Sequence, residues 1–349
     1  MKTSNISNVS MQNAMRLTIL QAQNQLLKSQ TEVTTGKFAD VGTELGSRTA
    51  LSLDLTRESA RMQGLISTNA LATQRLESSQ EAMNSIADAG QTMMNALIAV
   101  KGSSNSSDLA VATQVISDSL GIYVSAANTS VSGEFIFAGV NSDVRPLVDG
   151  DTILADFNAA FTTHFGFAPT DSAQTINITT TQMDDFLTNV VEPMFIGTGN
   201  EWTTDWSSAS SSPMMTRISQ SDTVQTSTSA NSDGMRNFAL AAVASIGLMS
   251  IKLPEDVLNV VSDKVIGYTG KAISGVDSER TQLGLSQERV TKTNASLQIQ
   301  HDVLQSNFSS MVEVDAYEAS TRINNLLALV EASYTLTAKI QKLSLVNYL

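Results

Sequence analysis

The 349-residue chain contains no cysteine. Disulfides, thiol nucleophiles and Cys-ligated metal sites are excluded together. Proline is scarce, and its five copies all lie between Pro146 and Pro254. Proline lacks an N–H and clashes with the preceding helical turn, so the Pro-free first 145 and last 95 residues are left able to form long helices. Basic residues are few, 21 Lys and Arg against 34 Asp and Glu, for a net charge of −13. That balance argues against nucleic acid or an anionic membrane as the main partner. Long hydrophobic runs are missing too. The longest near-apolar stretch, FALAAVASIGLM at 238–249, is too short to span a bilayer and predicts a buried helix. The opening MKTSNISNVSMQNAMRL lacks the apolar run and cleavage site of a signal peptide, which by targeting signal alone predicts a cytoplasmic protein.

Composition divides the rest in three. Ten of the eighteen aromatics lie between Phe135 and Trp206. Residues 146–235 hold eleven acidic side chains and one basic one, Arg217. Phe135–Ala138, Asp151–Leu154 and Thr175–Thr179 predict strands there, and the Ser/Thr-rich stretch 203–232 predicts edge strands and loops. The expected fold class is mainly α: a long antiparallel helical bundle or coiled coil built from both termini, with a smaller inserted β-containing central domain. The expected division is a terminal coiled-coil region at 1–42 and 310–349, a helical rod at 43–140 and 236–309, and an acidic outer domain at 141–235.

Heptad rows carry the helical prediction. In 51–101, positions 55, 62, 76, 83 and 97 are Leu or Met, with Asn69 and Gly90 interrupting the row. A polar Asn69 there could fix register or be a tolerated imperfection. Lys101–Ser107 predicts a turn, and Leu109, Ala112, Ile116, Leu120, Tyr123 and Ala127 predict an antiparallel return helix. Leu253-Pro254-Glu255-Asp256 predicts a helix start, and Val276, Leu283, Val290, Leu297, Leu304 and Met311 form the next row.

The two ends are apolar on more than one side. Ser320–Leu349 has no Gly or Pro, and sixteen of its thirty residues are apolar. Leu329, Leu336 and Leu343 fall seven apart, with Leu326 and Ile340 beside them; Ile323, Leu327, Val330 and Tyr334 form a further row. At the other end Ile19, Leu26 and Val33 fall seven apart, beside Leu20 and Leu27. A terminus of this kind needs covering. Its candidate partners are the opposite end of the chain and further copies of it. The expected assembly residues are therefore Ile19, Leu20, Leu26, Leu27, Val33, Ile323, Leu326, Leu329, Val330, Leu336, Ile340, Leu343 and Val346.

Nothing in the sequence points to a reaction, a metal or a cofactor. His164 and His301 lie in different segments. Asp184 and Asp185 read as helix-start acids, and Gly197-Thr198-Gly199-Asn200 as a turn without the lysine of a phosphate loop. Trp202 and Trp206 read as local core, and Met62, Met83 and Met93 as core filling.

The ends resemble the flagellin superfamily. LVEASYTLTAKIQKLSLVNYL resembles the family's closing segment, Asn5–Lys37 its first helix, and Ser278–Val290 its RxxLGxxQxR stretch at Arg280, Leu283, Gly284, Gln287 and Arg289. GEFIFAG at 133–139, followed by Asn141, Asp143 and Pro146, is similar to the GxYxFxG…P pattern of the branch that joins hook to filament. FADVGTELGSRTALSLDL lacks the Pro and acid pair of the corresponding family run. The resemblance implies a structural subunit rather than an enzyme, exported unfolded through the flagellar type III channel and placed outside the cell at the hook–filament junction. It implies four partners: further copies of the chain, a neighbouring hook-associated junction protein, flagellin, and an export chaperone on the C-terminal helices. The alternative is flagellin itself, the filament subunit.

Overall fold

A computed structural model describes residues 8–197 and 200–346, with side chains from 10 to 339 outside the gap. The chain forms two compact units. One is built from residues up to Gly64 and from Leu297 onward; the other is Leu65–Ser296. The chain is mainly α-helical. The long helices are α1 (Asn8–Thr35), α3 (Thr49–Val100), α4 (Ser106–Ala127), α9 (Asp233–Met249), α10 (Glu255–Val312) and α11 (Ala316–Val346). Shorter ones are α2 (Val41–Leu45), α5 (Gly150–Phe165), α6 (Ser172–Thr175), α7 (Thr180–Phe186) and α8 (Glu192–Phe195). By length and composition alone α4 is long and apolar enough to cross a bilayer.

In the Leu65–Ser296 unit the heptad row on α3 turns inward. Leu76, Met83 and Leu97 are fully buried, as are Ile86 and Met93 on the adjoining row. Asn69 is also buried, and its amide donates to the Ile218 carbonyl at 3.1 Å, so it ties the helix to the chain between two short strands. α10 runs antiparallel to α3: Gln80 donates to the Arg280 carbonyl at 2.7 Å, and Gly90 lies against Ile273. Val276, Leu283 and Val290 are buried on it.

α9 is the centre of this unit. Every residue from Gly234 to Met249 is buried, which only an uninterrupted apolar and small-residue run allows. Tyr123 of α4 stacks on its Phe238 with ring centroids 4.6 Å apart and donates to the Met235 carbonyl at 3.0 Å. Burying each such Phe, Leu or Met contributes about 1.5–3 kcal/mol.

The central segment shares that hydrophobic core. Phe157 and Phe161 of α5 pack on Phe186 at 5.7 and 5.5 Å. Trp202 and Trp206 are buried core residues, with their indole N–H groups donating to Asn231 at 2.8 Å and Asp156 at 2.7 Å. Strands are few and short. β1 (Ser130–Val131) pairs with β2 (Glu134–Phe135) around Ser132-Gly133, both at positive φ, as a type I′ hairpin requires. β3 (Met215–Arg217) pairs antiparallel with β4 (Thr223–Gln225).

Four local expectations are corrected. Asp151–Leu154 is helix, because Ile153, Phe157 and Phe161 fall four apart and all face the core. Thr175 ends α6, and Thr179 caps α7 in a reciprocal box with Gln182, so 175–179 is a helix junction. Of Phe135–Ala138 only Phe135 lies in a strand, although Ala138 forms an isolated bridge to Ser229. Asp184 and Asp185 sit in the last turn of α7, facing Lys264 at 3.0 Å and His164 at 3.9 Å respectively.

α9 and α10 approach closely where two glycines meet. A Cβ on Gly275 would lie 2.5 Å from the Gly234 Cα, against backbone that cannot move aside. Gly275→Ala should therefore destabilise the chain by about 1–3 kcal/mol. Gly267, on the same helix, has open space around its position. Gly267→Ala should be neutral or gain up to about 1 kcal/mol. Thermal unfolding of the two variants measures the contrast.

Candidate assembly surface

The unit that contains the chain ends is built on one antiparallel pair, α1 with α11. Met15 meets Thr337 at 3.8 Å, Gln23 meets Tyr334 at 3.1 Å, and Glu32 meets Arg322 at 3.4 Å. Numbers rise on one helix as they fall on the other. α1 ends at Gly36, whose φ of 70° is the left-handed conformation that suits glycine at a helix C-terminus. The chain then runs against the end of α10. Phe38 N–H donates to the Val312 carbonyl and Val314 N–H to the Gly36 carbonyl, both at 3.0 Å, around a bridge between Lys37 and Glu313. Asp40 caps α2, accepting from the Thr43 hydroxyl and N–H, and those bonds hold its carboxyl below its ordinary value. Asp315 starts α11 by accepting from the Tyr317 and Glu318 N–H groups.

The facing stripes have heptad spacing. On α1, Ala22 and Ser29 are buried, and Met15, Ile19 and Leu26 are half-buried. On α11, Ala319 and Leu326 are buried, and Ile323 and Val330 are half-buried. One seam thus uses Ile19, Leu26, Ile323, Leu326 and Val330 of the expected assembly residues.

The others point away. Leu20 is 52% exposed, Leu27 62%, Leu329 45% and Leu336 49%, with Val33 exposed less strongly. Leu17, 60% exposed, extends the Leu20 and Leu27 row and was not among the expected residues. Its i, i+3 spacing from Leu20 was the available signal, which the polar Asn24 interrupts further along. Leu327 and Tyr334 add exposed apolar surface on the other flank of α11, and Tyr317 stands out near its start. The side chains of Ile340, Leu343 and Val346 lie outside the described residues. Single exposed leucines are ordinary on protein surfaces. Rows of them at helical spacing on two paired helices make a candidate binding face.

Among the described residues no group of three or more His, Asp and Glu side chains could hold a metal ion. His301 faces its neighbour Asp302 at 3.5 Å. A cavity of about 840 Å³ is an open groove lined by Ser78, Glu81, Ser85, Ser117, Asp118 and Gly121.

Comparison with known proteins bears on the same helices. The family model described as the bacterial flagellin N-terminal helical region matches residues 6–142. That for the bacterial flagellin C-terminal helical region matches residues 266–349. Together they cover well over half of the chain. No curated protein matches the sequence. Among solved structures, one assigned as a flagellar hook-associated protein from Vibrio parahaemolyticus aligns with a TM-score of 0.53 at 11% identity. The alignment covers 76% of this chain and 97% of that one. At that identity the likeness is one of fold.

The seam and the outward rows should respond differently to truncation. Leu326→Ala removes a buried side chain and should weaken the α1/α11 pair by about 2–3 kcal/mol. Leu329→Ala should cost no more than about 0.5 kcal/mol. Amide exchange over residues 10–35 reads both, since α1 has α11 as its main partner.

Proposed function

Since the chain belongs to the flagellin superfamily, we propose that it is a structural subunit of the bacterial flagellum, a ring-forming adaptor between hook and filament. The observation that carries the reading is the pair of terminal helices with apolar rows left uncovered on their outer faces. Within one chain, among the described residues, each helix has the other as its main partner. In an assembly the outward rows, Leu17, Leu20 and Leu27 on α1 and Leu329 and Leu336 on α11, would seat on the helices of adjacent subunits. Such a head-to-tail contact closes into a ring or continues as a helix, according to the rotation between copies.

Two features favour the junction over the filament itself. The GEFIFAG segment followed by Pro146 has the junction branch's pattern, and the fold aligns along nearly the whole of a hook-associated structure. The partners on this reading are further copies, a neighbouring hook-associated junction protein, flagellin, and an export chaperone bound before secretion. Flagellin, the bulk subunit, is the second reading. It rests on the same terminal helices.

A deletion strain separates the two. Loss of a junction subunit should leave hooks without filaments and release soluble flagellin into the medium. Filaments of normal length on the mutant would overturn the junction reading. Within the protein, Leu20→Asp with Leu27→Asp should leave the helical content of the monomer unchanged, because both side chains are exposed. The same pair should abolish incorporation at the hook tip. Normal motility of a strain carrying it would count against assembly through this face.

A further inference from the structure

Glu32 stands apart from every other carboxylate in the chain. It is 5% exposed, and it is the one acidic side chain so buried among the described residues. It lies on the face of α1 that meets α11, and both of its oxygens are used. Oε1 accepts the Ala39 N–H at 3.3 Å, from the segment that follows α1. Oε2 faces the Arg322 guanidinium at 3.4 Å. Arg322 is half out in solvent and also binds Glu318, one turn earlier on α11, at 3.1 Å. Gly36 N–H donates to the Glu32 carbonyl, so this residue also closes the last turn of α1.

The rest of the seam is nearly degenerate. Met15, Ile19, Ala22 and Leu26 on one side, and Ala319, Ile323, Leu326 and Val330 on the other, repeat with heptad spacing. Sliding one helix by seven residues, about 10 Å, would again set apolar side chains against apolar ones. The backbone bridge at Lys37 and Glu313 resists such a slip, but its hydrogen bonds would form between any residues. Glu32 is different. Counted along α11 from Arg322, a slip of seven sets Glu32 against Leu329 in one direction and Asp315 in the other. Neither can neutralise a buried carboxylate. Breaking a buried ion pair is far more costly than the pair is stabilising, and fixing register is the best-attested use of such groups.

We propose that Glu32 sets the register of the α1/α11 pair, and through it the alignment of the outward rows that an adjoining subunit reads. The second half rests on the assembly role given above; the first half does not.

The absence of cysteine allows a clean test in the full chain. Met15→Cys with Thr337→Cys reports the observed register, because those side chains touch. Met15→Cys with Val330→Cys reports a slip of one heptad. In dilute monomer under mild oxidation the first pair should couple and the second should not. Adding Glu32→Leu should raise the slipped product from a trace to at least about a tenth of the total, as expected when the penalty for a stranded charge is removed. Arg322→Met is the second arm, should Glu32→Leu fail to fold by circular dichroism. It strands the carboxylate in the observed register and should lower coupling of the 15/337 pair. Exclusive 15/337 coupling at the parent level in both variants would overturn the proposal, as would absence of that coupling in the parent. Because coupling is read on the monomer, its outcome is independent of the deletion strain. A slipped Glu32→Leu chain that still joined hook to filament would overturn the second half alone.

Discussion

One antiparallel contact, α1 against α11, holds the two ends of the chain, and it covers each helix on one side. Ordering the backbone costs about 1–2 kcal/mol per residue, and isolated helices of this kind are marginal in water. Against that cost the seam offers few fully buried apolar side chains, with Ala22, Ala319 and Leu326 the clearest. The leucines that would contribute most, Leu17, Leu20, Leu27, Leu329 and Leu336, remain in water. The pair is thus complete in geometry and incomplete in burial. A second set of helices is the natural remedy, which is why the reading of this surface leads to copies of the chain.

The Leu65–Ser296 unit solves the same problem internally. α9 packs against α3, α4, α5, α8 and α10. Its glycines admit neighbours at backbone distance, Gly275 at Gly234 and Phe157 at Gly247. Two polar side chains drawn into this core are well matched. Arg236 donates to the carbonyls of Asn231, Phe195 and Gly197, and Asn231 serves Trp202, Ser207 and Ala209. The Ser/Thr-rich stretch therefore needs little sheet. Thr216 with Thr226, and Ser227 with the Met214 N–H, pair side chain to side chain or to backbone where longer strands would otherwise be required.

The helices were legible in the sequence because their signal repeats. Met62, Leu76, Met83 and Leu97 fall in one row over many turns, and no local accident imitates that. Asp151–Leu154 was misread because four residues carry too little period. The deciding residues, Phe157 and Phe161, lie one and two turns further on. The α1/α11 seam was half legible. Rows of apolar residues at both ends were plain, yet Leu26 and Leu27 are adjacent and only the partner decides which is inside. Glu32 gave no sign at all. A glutamate among Gln, Ser and Thr reads as a solvated face until the helix opposite is known.

The two family matches stop at 142 and resume at 266, leaving unmatched a stretch that contains the whole of α9. That stretch is not an ornament on a finished helical body. Tyr123 on a matched helix stacks on Phe238 on the unmatched one, and Gly275 on a matched helix has no room for anything but Gly234. Substitution in the middle therefore has to be compensated across α4 and α10, because close-packed interiors transmit a change of a single methylene. The α1/α11 pair carries no such obligation: its seam is made of its own two helices. The unmatched part of the chain is in this way tied to one unit's core, while the ends keep an apolar surface that their own seam leaves uncovered.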